Sequence, residues 1–162
     1  GIETEMLHDG NLCFDQCFSN DIDVVIGSVH FLPIENERDC LSFWLSHTLQ
    51  LINAGIDILG HPFRWIAAKM EISEEIIMTV TLEAKKNNVA LELNSHYKYE
   101  REDILMLRCC ARTGTFVSIA SDTHRKNEFG DYSYQRSVLE KSGVANSISI
   151  KEHLRHMESN IT

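Results

Sequence analysis

Acidic and imidazole side chains in this chain fall at the ends of apolar runs. Phe116-Val117-Ser118-Ile119-Ala120 leads into Ser121-Asp122-Thr123-His124, so a buried strand there presents a carboxylate and an imidazole together at its carboxyl end. That pairing suits a divalent metal, for which imidazole nitrogen and carboxylate oxygen are common ligands. Two segments repeat the design: Asp23 to His30, reading DVVIGSVH, and Ile56-Asp57-Ile58-Leu59-Gly60-His61-Pro62. Each carries a histidine at the end of its apolar run, and Glu3 lies in a further short run, Gly1-Ile2-Glu3-Thr4.

To bring such residues together the chain must alternate strands with helices, and its pattern does so. Strand-like runs span 1–4, 23–30, 57–61, 89–94, 116–120 and, more weakly, 147–150. Their continuous Val/Ile/Leu character suits strands covered on both faces, as in a parallel sheet. Between them, residues 38–54 carry Leu41, Trp44, Leu45, Leu49 and Ile52 at helical spacing. Ser73-Glu74-Glu75 opens a helix running towards Asn88, with serine as its N-cap. Residues 101–112 stop at Gly114 and residues 132–141 before Gly143, both natural helix ends, and a last helix is expected over 151–158. The expected fold is therefore α/β. In such folds the carboxyl ends of parallel strands gather on one face, which hosts the site. Glu3, His30, His61, Asp122 and His124 all fall there.

With 162 residues the chain is long enough for one core and is read as a single domain. Its 43% hydrophobic and 24% charged residues are those of a globular protein. No apolar stretch approaches the length of a membrane span and no signal-peptide pattern opens the chain, so a cytoplasmic location is expected. Five cysteines, an odd number with Cys109 and Cys110 adjacent, exclude a complete disulfide framework and fit a reducing compartment. Cys13 and Cys17, four apart, read as core packing. The net charge of −9 opposes unspecific attraction to nucleic-acid backbone.

Taken in order, Gly1-Ile2-Glu3, Gly27-Ser28-Val29-His30, Gly60-His61-Pro62, Leu91-Glu92-Leu93-Asn94-Ser95 and Ser121-Asp122-Thr123-His124-Arg125 resemble the polymerase and histidinol phosphatase (PHP) family. The phrase GSVHFL at 27–32 looks most like its histidinol-phosphatase branch. The resemblance implies a distorted (βα)7 barrel, here incomplete with about five to six mostly parallel strands and flanking helices. Position by position, it makes Glu3 the bridging metal ligand, His30 and His61 strand-end ligands, and Asp122 with His124 the final Asp-x-His pair. It implies one to three divalent ions (Zn, Mn or Fe) and hydrolysis of a small phosphorylated substrate by metal-activated water, without a covalent nucleophile.

The family's opening His-x-His motif is absent. The chain is therefore expected to be one PHP-like domain over 1–162, truncated on its N-terminal side, whose open sheet edges a second copy of the chain could cover. Two other readings stand beside the phosphatase: a non-catalytic metal-binding module that kept the strand-end ligands, and a nuclease domain of the kind attached to DNA polymerases. Arg125, next to the Asp-x-His pair, and Arg64, three residues after His61, are candidate phosphate contacts. His96 reads as a solvent-facing loop residue. His153 and His156 read as an exposed helical face, spacing alone draws His8 and His47 into no motif, and Trp44 and Trp65 are expected to pack between helices and sheet.

Overall fold

A computed structural model of the chain describes residues 1–7, 9–14, 22–33, 39–96 and 98–151. Six strands form one sheet: β1 (Ile2–Thr4), β2 (Val25–Gly27), β3 (Ile58–Leu59), β4 (Ala90–Asn94), β5 (Phe116–Ala120) and β6 (Ser149–Ile150). They lie in the order of the sequence and every neighbouring pair is parallel. The α/β expectation is met.

The connections carry α1 (Cys40–Asn53), the short α2 (Arg64–Ala67), α3 (Glu74–Lys86), α4 (Glu100–Thr113), a 3-10 turn at Lys126–Glu128 and α5 (Ser133–Ser142). Crossovers between parallel strands are right-handed almost without exception. A strand order that never reverses then sends successive crossovers to the same face, the winding of a barrel rather than of a doubly wound sheet. The helix contacts follow that winding, α1 against α3, α3 against α4 and α4 against α5.

Packing explains why these elements form where they do. Trp44, Leu51 and Ile52 of α1, Ile77 and Val80 of α3, and Met106 and Leu107 of α4 are buried with Leu59, Leu91, Leu93 and Val117 of the strands in one contiguous core. All five residues of β4 are buried, as a central strand requires. Ser73 Oγ accepts the Ile76 N–H at the start of α3, and Gly114 closes α4 in the left-handed conformation at φ +69°. Trp44 is fully buried against Phe63, and Trp65 is buried as well.

Several expectations need correction. The strand over 23–30 shortens to Val25–Gly27 and that over 57–61 to Ile58–Leu59. The helix α2 and the 3-10 turn, four and three residues long, are too short for apolar periodicity to announce. Cys13 is exposed, whereas Cys109 and Cys110 are buried in the core. Cys17, His8, His153, His156 and the expected last helix beyond Lys151 lie outside the described residues. Among the described residues no helix is long and apolar enough to cross a membrane.

Candidate metal centre

β1, β2 and β3 are adjacent, and the parallel register places their carboxyl ends together: Thr4 opposite Gly27, and Gly27 opposite Leu59. Glu3 lies within β1, His30 three residues past β2 and His61 two past β3. Their donor atoms converge, all within 4.8 Å of one another. His30 Nε2 and His61 Nε2 each lie 3.5 Å from Glu3 Oε1, and the two imidazoles meet edge to face with centroids 4.9 Å apart. The set runs from the buried His61, whose side chain is 4% exposed, out to Glu3 and His30 at 44% and 40%, so it opens to solvent on one side.

Each member is held from behind. Ser28 Oγ donates to Glu3 Oε1 at 2.6 Å. Glu5 Oε1 accepts the His30 backbone N–H at 3.0 Å and contacts His30 Nδ1 at 2.9 Å. The His61 N–H donates to Glu92 Oε2 at 2.7 Å, and Asn94 Nδ2 donates to the same oxygen at 3.1 Å. His61 has φ +29°, a region costly for any residue with a Cβ. The Glu92 bond helps hold it there.

The electrostatics follow from this geometry. His61 beside Glu3 is the main cause that holds the Glu3 carboxyl at about 2, helped by the Ser28 hydrogen bond and the His30 charge and opposed by partial burial. Burial pushes Glu92 the other way, above the ordinary carboxylate range; the His61 N–H and Asn94 oppose the rise, and the nearby Asp122 carboxylate adds to it.

The test of fit to a cation is His61. Both ring nitrogens are buried and neither makes a hydrogen bond, although unsatisfied polar atoms are costly in a folded interior. Glu3 Oε1, 3.5 Å from Nε2, makes a charge contact too long for a good hydrogen bond. Two imidazoles and a carboxylate around one point are a donor set that a divalent transition metal satisfies.

Asp122 and His124 do not join this trio. Asp122 takes a left-handed φ of +48°, which turns the chain as it leaves β5. His124 Nδ1 lies 2.7 Å from the Asp122 carbonyl oxygen, and its ring stacks on that of His96 with centroids 4.0 Å apart. Glu128 Oε2 accepts the backbone N–H groups of His124 and Arg125 and lies 3.7 Å from His96 Nδ1. Of the five expected ligands, Glu3, His30 and His61 are the three whose donor atoms lie within 4.8 Å of one another, while Asp122 is near enough to Glu92 to raise its pKa. His96, expected in solvent, is half-buried against His124.

Arg64, first residue of α2, lines a narrow cleft with His61, Glu92, Asn94, Tyr99 and Asp103, while Arg125 is exposed beside Thr123, Lys126 and Phe129. Glu5 and Glu92 escaped the sequence reading as site residues. Glu92 left a signal, since it is an acid inside the apolar strand Leu91-Glu92-Leu93.

Gly60 is fixed by close approach. A Cβ there would lie 2.3 Å from Ser28 Oγ and 3.0 Å from Ile26 Cγ2, and Ser28 is fully buried. Gly60→Ala must therefore displace the hydroxyl that orients Glu3. We expect a loss of about 1–3 kcal/mol in urea unfolding, typical of overpacking, accompanied by weaker metal uptake; an unchanged midpoint would contradict the packing described here.

No protein-family model matches the chain. It is 26% identical over 166 residues to a probable phosphatase of Caldicellulosiruptor saccharolyticus, covering 96% of this chain and 65% of that protein. It is 32% identical over 158 residues to the DNA polymerase/3'-5' exonuclease PolX of Bacillus subtilis, covering 94% of this chain but 27% of the relative. Among solved structures it is similar to histidinol phosphate phosphatase of Lactococcus lactis, complexed with Zn, L-histidinol and phosphate. There the TM-score is 0.52 at 16% identity, over 80% of this chain and 64% of the other. The chain thus spans just under two thirds of the phosphatase relative and of the solved phosphatase.

Proposed function

We propose that the chain, which resembles the PHP family, forms part of a metal-dependent phosphoesterase domain acting on a small phosphomonoester in the manner of a histidinol phosphatase. The observation that carries this reading is the buried imidazole of His61, its ring nitrogens without a hydrogen bond, facing Glu3 and His30. The phosphatase relative supports it.

In this proposal Glu3, His30 and His61 hold a divalent ion, and zinc, present in the solved histidinol phosphate phosphatase, is the first to test. The ion, when bound, supplies Lewis acidity and a water activated near neutral pH. The remaining work falls to the chain. Ser28 and Glu92 keep Glu3 and His61 in position, the buried side of the trio excludes bulk water, and the open side admits substrate. Asp122 and His124 contribute from the neighbouring loop. Arg64 and Arg125 are proposed as guanidinium contacts to phosphate oxygens, which match their planar donor geometry.

A second reading, a nuclease domain, draws on the 32% identity to the exonuclease-bearing polymerase. One experiment separates the readings. The purified chain is loaded with Zn or Mn, its metal content is measured, and it is assayed on p-nitrophenyl phosphate and on a single-stranded oligonucleotide. The proposal expects metal-dependent release of p-nitrophenol that EDTA abolishes. Degradation of the oligonucleotide alone moves the assignment to a nuclease, and bound metal without turnover of either moves it to a non-catalytic metal-binding module.

A further inference from the structure

Glu5 follows β1 two residues after Glu3, so both side chains leave the strand on the same side while Thr4 between them is buried. One oxygen of Glu5 meets His30 twice, accepting its backbone N–H at 3.0 Å and lying 2.9 Å from its ring Nδ1. A carboxylate only accepts, so this contact requires the proton on Nδ1. In a neutral imidazole the other nitrogen, Nε2, then carries a bare lone pair, and it is Nε2 that faces Glu3 Oε1 at 3.5 Å. Two acceptors directed at each other attract nothing by themselves; a cation between them satisfies both.

We propose that Glu5 is a positioning residue for His30: it fixes the Nδ1–H tautomer and the ring plane, and so presents Nε2 to the ion shared with Glu3 and His61. A carboxylate bonded to the far nitrogen of a metal-ligating histidine orients the ring and raises its basicity, and removing such a partner costs about 10- to 100-fold in metal affinity. The inference rests on the metal-centre reading above. Glu5 touches neither Glu3 nor His61 through any hydrogen bond described here, and its side chain is 45% exposed, so its removal leaves the core intact.

The test compares wild type, Glu5→Ala and Glu5→Gln by 15N histidine NMR on metal-free protein, about two pH units above the ordinary imidazole pKa of about 6.5, and by zinc titration. In wild type the proton of His30 resides on Nδ1. In Glu5→Ala it redistributes to Nε2, and zinc affinity falls about 10- to 100-fold, with the thermal midpoint of the metal-free protein unchanged. Glu5→Gln, whose amide oxygen still accepts, keeps the wild-type tautomer and stays within a few-fold in affinity. The proposal is overturned if Glu5→Ala retains the Nδ1–H form or binds zinc as wild type does. If wild type itself takes up no zinc, the metal-centre reading fails, and the NMR comparison alone decides whether Glu5 sets the tautomer.

Discussion

His61→Ala is expected to lose at least 100-fold in zinc affinity, more than the removal of a residue that merely orients a ligand, and to lose phosphatase activity with it. The reason is burial. His30 and Glu3 are partly exposed and water can stand in for either, but the His61 side chain is 4% exposed and both its ring nitrogens are buried without a hydrogen bond. In thermal or urea unfolding, an ion bound only by the folded state stabilises by RT ln(1 + [L]/Kd), about 2.7 kcal/mol at 100 Kd. At the same zinc concentration a 100-fold weaker variant keeps about 0.4 kcal/mol. The metal-free variant should lose less stability than truncation of an apolar core residue, because the deleted ring carries two unsatisfied polar atoms whose burial was itself unfavourable. A His61→Ala protein with undiminished zinc stabilisation would refute the role of this residue.

The second large effect concerns pH. Asp103, in the first turn of α4, is buried and receives a hydrogen bond from Tyr134 Oη at 2.5 Å. Burial is the main cause that raises its carboxyl from 3.8 to about 7; the Tyr134 bond opposes the rise and the Glu102 charge adds to it. The folded state therefore holds this proton more tightly than the unfolded chain. The resulting stabilisation is fully present below about pH 4 and is lost as pH rises through about 7. The displacement corresponds to about 4 kcal/mol. Asp103→Asn carries no titrating proton yet keeps an oxygen that accepts the Tyr134 hydroxyl. Its stability relative to wild type should rise between pH 4 and 8 by an amount approaching that figure, measured as the difference between their urea-unfolding free energies. A difference independent of pH would contradict the buried, protonated Asp103. Glu3 contributes with the opposite sign: its carboxyl, held at about 2, favours the folded state above about pH 4.5, and that contribution fades as pH falls towards 2. Half-exposure of the side chain keeps the effect small.

The six strands and the four longer helices were legible because each has a periodic or continuous apolar signature, and Ser73, Gly114 and Gly143 mark helix ends by chemistry that acts locally. Strand lengths were less legible. The runs 23–30 and 57–61 extend past their ladders, in which β2 pairs with β3 at only two positions; the Ser28 N–H still donates to the Thr4 carbonyl, and Val29 and His30 lie beyond the sheet. That departure lets His30 turn towards Glu3 and Glu5. Convergence of Glu3, His30 and His61 followed from placing three parallel strands side by side. The separation of Asp122 and His124 did not, because it depends on a left-handed residue just after β5 and on the stacking of His124 against His96, which lies 28 positions earlier in the chain. Contacts of that kind leave no periodic trace. Glu5 was hidden for a related reason: its meaning lies in His30, 25 positions away.

The central claim is that Glu3, His30 and His61 share one ion. Crystals of the zinc-loaded protein, measured on either side of the zinc absorption edge, test it most directly. The account predicts an anomalous peak about 2.0–2.2 Å from a Glu3 carboxylate oxygen, His30 Nε2 and a His61 ring nitrogen, the distances of zinc–oxygen and zinc–nitrogen bonds. A peak held instead by His96, His124 and Glu128, or no peak near His61 at saturating zinc, would contradict it.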